Sequence, residues 1–116
     1  MSFAYRLNHE LNIDPEEYIS IAKRNAKRLH LNYKTLRFSN AKNKKLSIRN
    51  DDNKLINFGS SKNNDFIIWT YLESRREVRK GYANMKRNVF HKSHEAMQYD
   101  ASNPYSANVL SLGILW

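Results

Sequence analysis

The stretch INFGSSKNNDFIIWTYLE, residues 56–73, restricts this chain more than any other. An apolar strand-like run stops at Phe58-Gly59, the polar loop SSKNN follows, and Asp65 opens a denser run with Phe66, Trp69 and Tyr71. Gly59 suits a backbone position with positive φ, and Asp65 is a side chain that accepts from the first turn of a helix. A run this short does not separate helix from strand by periodicity. The Asp65 cap and the continuation LESRRE favour a helix whose Phe66, Ile67, Trp69, Tyr71 and Leu72 pack on a sheet. Exposed rings would stack on bases at roughly 1–3 kcal/mol each. Crowding among Ile67, Ile68 and Leu72 points instead to core packing.

The sheet comes from the preceding segment. TLRFS and KLSIR alternate, KLINFG is a third short run, and Asn50-Asp51-Asp52-Asn53 has the composition of a hairpin turn. Two or three antiparallel strands result, and so small a sheet needs cover on one face. Upstream, NIDPEEYISIAKRNAKRLHL opens a helix with Asp14 as N-cap, Pro15 at the first position and Glu17 at capping-box spacing. Tyr18, Ala22, Ala26 and Leu29 form its apolar face. Downstream, ESRREVRKGYANMKRNVFHKSHEAMQ reads as one helix with Val78, Tyr82, Met85 and Val89 as its stripe. Gly81 inside that helix costs about 1 kcal/mol relative to alanine. Asn103-Pro104 marks a turn, and Ser106 or a neighbour starts a terminal helix that docks Leu110, Ile114 and Trp116. With 116 residues, 41% of them hydrophobic, the expectation is one α+β domain over residues 1–116. It holds an N-terminal helix, a small antiparallel sheet of two or three strands, and two or three helices packed on it.

Charge narrows the function. The formal net charge is +9. Residues 18–50 hold ten Lys/Arg and no acid, and residues 75–92 hold seven against the single acid Glu77. Clustered cations attract polyanions, because each neutralised phosphate releases condensed counterions. The candidate nucleic-acid contacts are Arg75, Arg76, Arg79, Lys80, Lys86 and Arg87 along the second long helix, with Lys42, Lys44 and Lys45 in the loop NAKNKK. The expected partner is a nucleic-acid backbone or an acidic protein surface. The fifteen asparagines and eleven lysines agree with an A/T-rich genome.

Other chemistries find little support. The absence of cysteine removes disulfides and thiolate metal sites and suits a reducing compartment. No run has the length of a membrane span and the first residues lack signal-peptide layout, so a soluble intracellular protein without a membrane partner is expected. His91 and His94 supply two of the three or four ligands that metal sites need. Asp51-Asp52 and Asp65 are explained by a turn and a helix cap rather than by a metal nuclease. There is no phosphate-cradling glycine loop and no nucleophile–base pair. Neither an enzyme, a cofactor nor a metal is expected.

Phe58-Gly59, the polar loop, Asp65-Phe66, Lys86-Arg87 ahead of Phe90, and the closing Leu-x-x-x-Ile-Leu-Trp of residues 110–116 form a pattern. It resembles an uncharacterised family of small basic proteins of giant eukaryotic DNA viruses and polinton-like or virophage-type elements, over residues 43–116. Many members carry Arg-His after a tyrosine-type position, where this chain has Phe90-His91-Lys92. The resemblance implies a viral origin and assigns no catalytic residue. The expectation is therefore a non-enzymatic virion-associated protein, a minor capsid or core component meeting genome or capsid protein. It would reside in the virion and in the host cytoplasm or nucleus. The alternative is a nucleic-acid-binding regulator acting outside the particle.

Overall fold

The computed structural model describes residues 2–95 and 103–116. A short helix α1 (Phe3–Tyr5) runs on into a wider π-type turn at Arg6–Glu10, ahead of α2 (Pro15–Arg28). A 3-10 turn at Tyr33–Thr35 leads into β1 (Arg37–Phe38), β2 (Lys44–Arg49) and β3 (Leu55–Ser60). Then come α3 (Phe66–Ser74), α4 (Tyr82–Glu95) and α5 (Ala107–Leu110), the last continuing into a π-type turn at Ser111–Leu115. The architecture is α+β with a three-stranded antiparallel sheet in the order β1-β2-β3. No described helix is long and apolar enough to cross a membrane.

The caps sit where their chemistry requires. Asp14 accepts from the Glu16 amide at 2.9 Å ahead of Pro15, and Tyr18, Ile19, Ala22 and Ala26 form the buried face of α2. Leu29 is exposed instead, lying just past the end of that helix. Asp65 accepts from the Ile68 amide at 2.9 Å. Ser106 accepts from the Val109 amide at 3.3 Å and starts α5. The Asn50 carboxamide accepts from the amides of Asp52 and Lys54, and Asn53 takes φ 63° to close the β2–β3 hairpin.

In the sheet register, Leu46 lies opposite Phe58 and Ile48 opposite Ile56. Four successive residues of β2, Lys45 to Ile48, are buried, so this central strand is covered on both faces. The segment Ala107–Leu115 packs on β3, and its π-type turn also meets α2. Gly59 adopts φ +80°, and a Cβ there would lie 2.8 Å from Leu115 Cδ1. That close approach brings the C-terminal segment onto the sheet. Leu110, Ile114 and Leu115 are buried in the same cluster as Phe3, Leu7, Tyr18, Leu46 and Ile68.

Two expectations are corrected. The first eight helical residues, α1 with its π-type turn, were not foreseen, although Phe3 and Leu7 belong to the core. The continuous helix expected from residue 73 is two helices, and its expected last residues, 96–98, lie outside the described residues. Arg76 takes φ 61°, and the Glu77 amide donates to Leu72 O at 2.9 Å, a left-handed stop to α3. Gly81 takes φ +89° just before α4, and the Glu73 carboxylate accepts from the Ala83 amide at 2.9 Å. The break resets the helical phase. Met85 and Val89 are exposed, while Ala83 is buried and Phe90 half-buried on the packed side.

Candidate nucleic-acid interface

The nine basic residues singled out in the sequence separate into four groups. Lys45 leaves the surface altogether. It is 2% exposed, and its ammonium pairs with the Asp65 carboxylate at 2.8 Å. The buried Tyr18 hydroxyl donates to the same Oδ2 at 2.5 Å, and the other carboxylate oxygen caps α3. The Lys45 ammonium also lies 5.2 Å from the centre of the Phe3 ring. Lys45 is therefore no phosphate contact. Alternation along β2 turns it inward beside Gly59, where the missing side chain leaves room for its aliphatic stem.

Arg75 is a clamp. Its guanidinium donates to Leu11 O at 2.6 Å and to Asn12 O, and lies 5.7 Å from the Tyr71 ring centre. Arg76, Arg79 and Lys80 are exposed on the connector between α3 and α4, beside Glu73 and Glu77. Of the remaining four, Lys44, Lys86 and Arg87 line grooves beside the C-terminal segment, and Lys42 lines neither. Lys42 is exposed in the β1–β2 turn and Lys44 opens β2.

Trp116 separates two grooves. On one side, a groove of about 550 Å³ is lined by Lys44 of β2, Trp69 of α3, Lys86, Phe90 and His94 of α4, and Trp116. On the other, a groove of about 510 Å³ is lined by Arg24 and Arg28 of α2, Phe66 of α3, Arg87 and His91 of α4, and Trp116. No Asp or Glu occurs among the described lining residues of either groove. Arg24 and Arg28 had no place among the sequence candidates. Their signal was present as i, i+4 spacing on the polar side of α2, but nothing in the sequence brought α2 beside α4.

Cations and rings are interleaved along this face. Arg87 lies 5.0 Å from the Phe66 ring centre, Lys86 lies 5.6 Å from Trp69, and Arg79 lies 5.5 Å from Tyr82. Phe66, Trp69 and Tyr71 are thus half-buried beneath cations rather than sealed in the core, which α3 supplies through Ile67, Ile68 and Leu72. Cation–π contact of this kind contributes about 0.5–1 kcal/mol when exposed and holds the charges at a fixed height above the rings.

The C-terminal anchor is well defined. Phe90 and Trp116 stack with centroids 4.2 Å apart at 5°, and Phe90 and His94 stack at 3.8 Å and 17°. Arg87 Nε donates to the Trp116 backbone oxygen at 2.8 Å, and His91 Nε2 lies 3.1 Å from it. His91 and His94 are thereby occupied with backbone and ring partners, and the described residues contain no group of three or more metal-ligating side chains. No family model, curated protein or solved structure matches the chain.

Proposed function

We propose that this is a non-enzymatic nucleic-acid-binding protein, whose contact surface is the pair of basic grooves on either side of Trp116. The observation behind this reading is their lining. Lys44, Lys86, Arg24, Arg28 and Arg87, drawn from three elements, line these grooves without an Asp or Glu side chain among the described lining residues. Cations grouped without acids attract phosphate more than cations paired on a mixed surface, as around Glu73 and Glu77. Lys42, Arg76, Arg79 and Lys80 extend the positive field and steer encounter rather than form the seat. The resemblance to virus-encoded small basic proteins suggests the virion as the setting, as a minor capsid or core component.

The charge-removal experiment separates seat from periphery. Lys44→Ala with Lys86→Ala, or Arg24→Ala with Arg28→Ala, should each weaken binding to every nucleic-acid sequence about equally, because phosphate contacts carry no base information. Lys45→Met should not act through charge at the surface. Undiminished binding in both double variants would place the interface elsewhere. Near-stoichiometric copies in purified particles support the virion setting, and their absence favours a regulator acting outside it.

A further inference from the structure

We infer that the groove between the sheet and α4 seats an unpaired nucleobase together with its phosphate, so that the protein prefers single-stranded nucleic acid. This rests on the nucleic-acid reading above and adds the form of the ligand. The rings come first: Trp69, Phe90 and Trp116 line the groove, and all three are half-buried rather than sealed. His94, Phe90 and Trp116 already form stacked pairs, so the wall is built from flat groups to which a base adds its own π-face. Two cations flank those rings from different walls, Lys44 on β2 and Lys86 on α4. Asn63 and Asn108, both exposed, add amide donors and acceptors suited to base edges. A volume of about 550 Å³ lies within the roughly 300–1,000 Å³ of sites that enclose small molecules. A flat, hydrogen-bonding, anionic ligand satisfies all three features at once. In a duplex the base faces are already stacked on each other and out of reach of these rings.

The chain's two tryptophans both line this groove, so their fluorescence reports its occupancy without a label. The test compares a short oligothymidylate with an abasic strand of equal length and phosphate count, at fixed low salt. Tryptophan emission of the protein and anisotropy of the labelled strand are followed together. The thymidylate strand should bind about tenfold or more tighter than the abasic one and shift or quench the emission at saturation. Trp116→Leu should bring its affinity down toward the abasic value, narrowing the gap between the two strands. The wild-type comparison decides even where that variant fails to fold. Equal affinity for both strands, unchanged emission at saturation, or tighter binding of a matched duplex would overturn the groove assignment and leave the backbone reading standing. Failure of both strands to bind would overturn both readings.

Discussion

Asp65 does three tasks with one carboxylate: it caps α3, pairs with the Lys45 ammonium and accepts from the Tyr18 hydroxyl, all in a site closed to solvent. Among the described residues no buried side-chain polar atom lacks a partner, so the cost of burying the pair is offset only while the set is whole. Asp65→Asn keeps an acceptor for the cap but leaves the Lys45 ammonium unpaired, and should destabilise by about 3–5 kcal/mol in urea unfolding. Adding Lys45→Met should recover part of that loss. Burial, reinforced by Asp65, raises the Tyr18 hydroxyl well above the usual tyrosine range. The fold therefore keeps a proton that the unfolded chain releases above about pH 10, so this stabilisation is complete below that pH and lost as pH rises through the folded value. Burial lowers Lys45, against the raising pull of Asp65. Between its lowered value and about 10.4 the unfolded chain binds more protons, so stability rises with pH there. Unfolding followed across alkaline pH should show Tyr18→Phe flattening the upper fall and Lys45→Met flattening the preceding rise. In the sequence Lys45 looked like its neighbours Lys42 and Lys44. Only the pairing of β2 with strands on both sides, and cover on both faces, distinguishes it.

Element boundaries were legible wherever a single residue type decides them. Asp14-Pro15, Asp65, Ser106 and the Asn50–Asn53 turn all carry their own backbone chemistry, and each closes or opens an element where expected. The junction of α3 and α4 was not read, because Val78, Tyr82, Met85 and Val89 keep perfect helical spacing across it. The stop comes from Arg76 in a left-handed conformation, which side-chain chemistry does not announce, and from Gly81, whose cost inside a helix was the one available warning. The two positive-φ glycines make this testable. Gly81→Ala meets no atom within 4 Å and bears only backbone strain, about 1 kcal/mol. Gly59→Ala adds a contact of 2.8 Å with Leu115 Cδ1 and should lower the thermal midpoint more than Gly81→Ala does. Equal shifts would show that the C-terminal segment does not press on β3.

Across the whole molecule, the C-terminal segment joins stability to the candidate site. Leu110, Ile114 and Leu115 are buried against α2 and β3, and Trp116 forms the shared wall of both basic grooves. Deleting residues 114–116 removes two fully buried aliphatic side chains and the Phe90 stack, a loss of about 3 kcal/mol or more. For a domain of this size the truncated chain should be largely unfolded by circular dichroism at room temperature. An unchanged melting temperature would make the tail an anchor for another molecule instead. Docking of this tail was readable from its apolarity, and the basic character of the surface from charge spacing. Their meeting was hidden, because Arg24 and Arg87 become neighbours only through the tail between them. The most direct measurement is the affinity for a single-stranded oligonucleotide across a range of salt concentrations. If Lys44, Lys86, Arg24 and Arg28 each neutralise a phosphate, the log–log plot should be linear with a slope of roughly −3, about −0.7 per phosphate, and Lys44→Ala with Lys86→Ala should flatten it by about half. A slope near zero, or no binding at low salt, would contradict a nucleic-acid surface and assign these cations to an acidic protein partner.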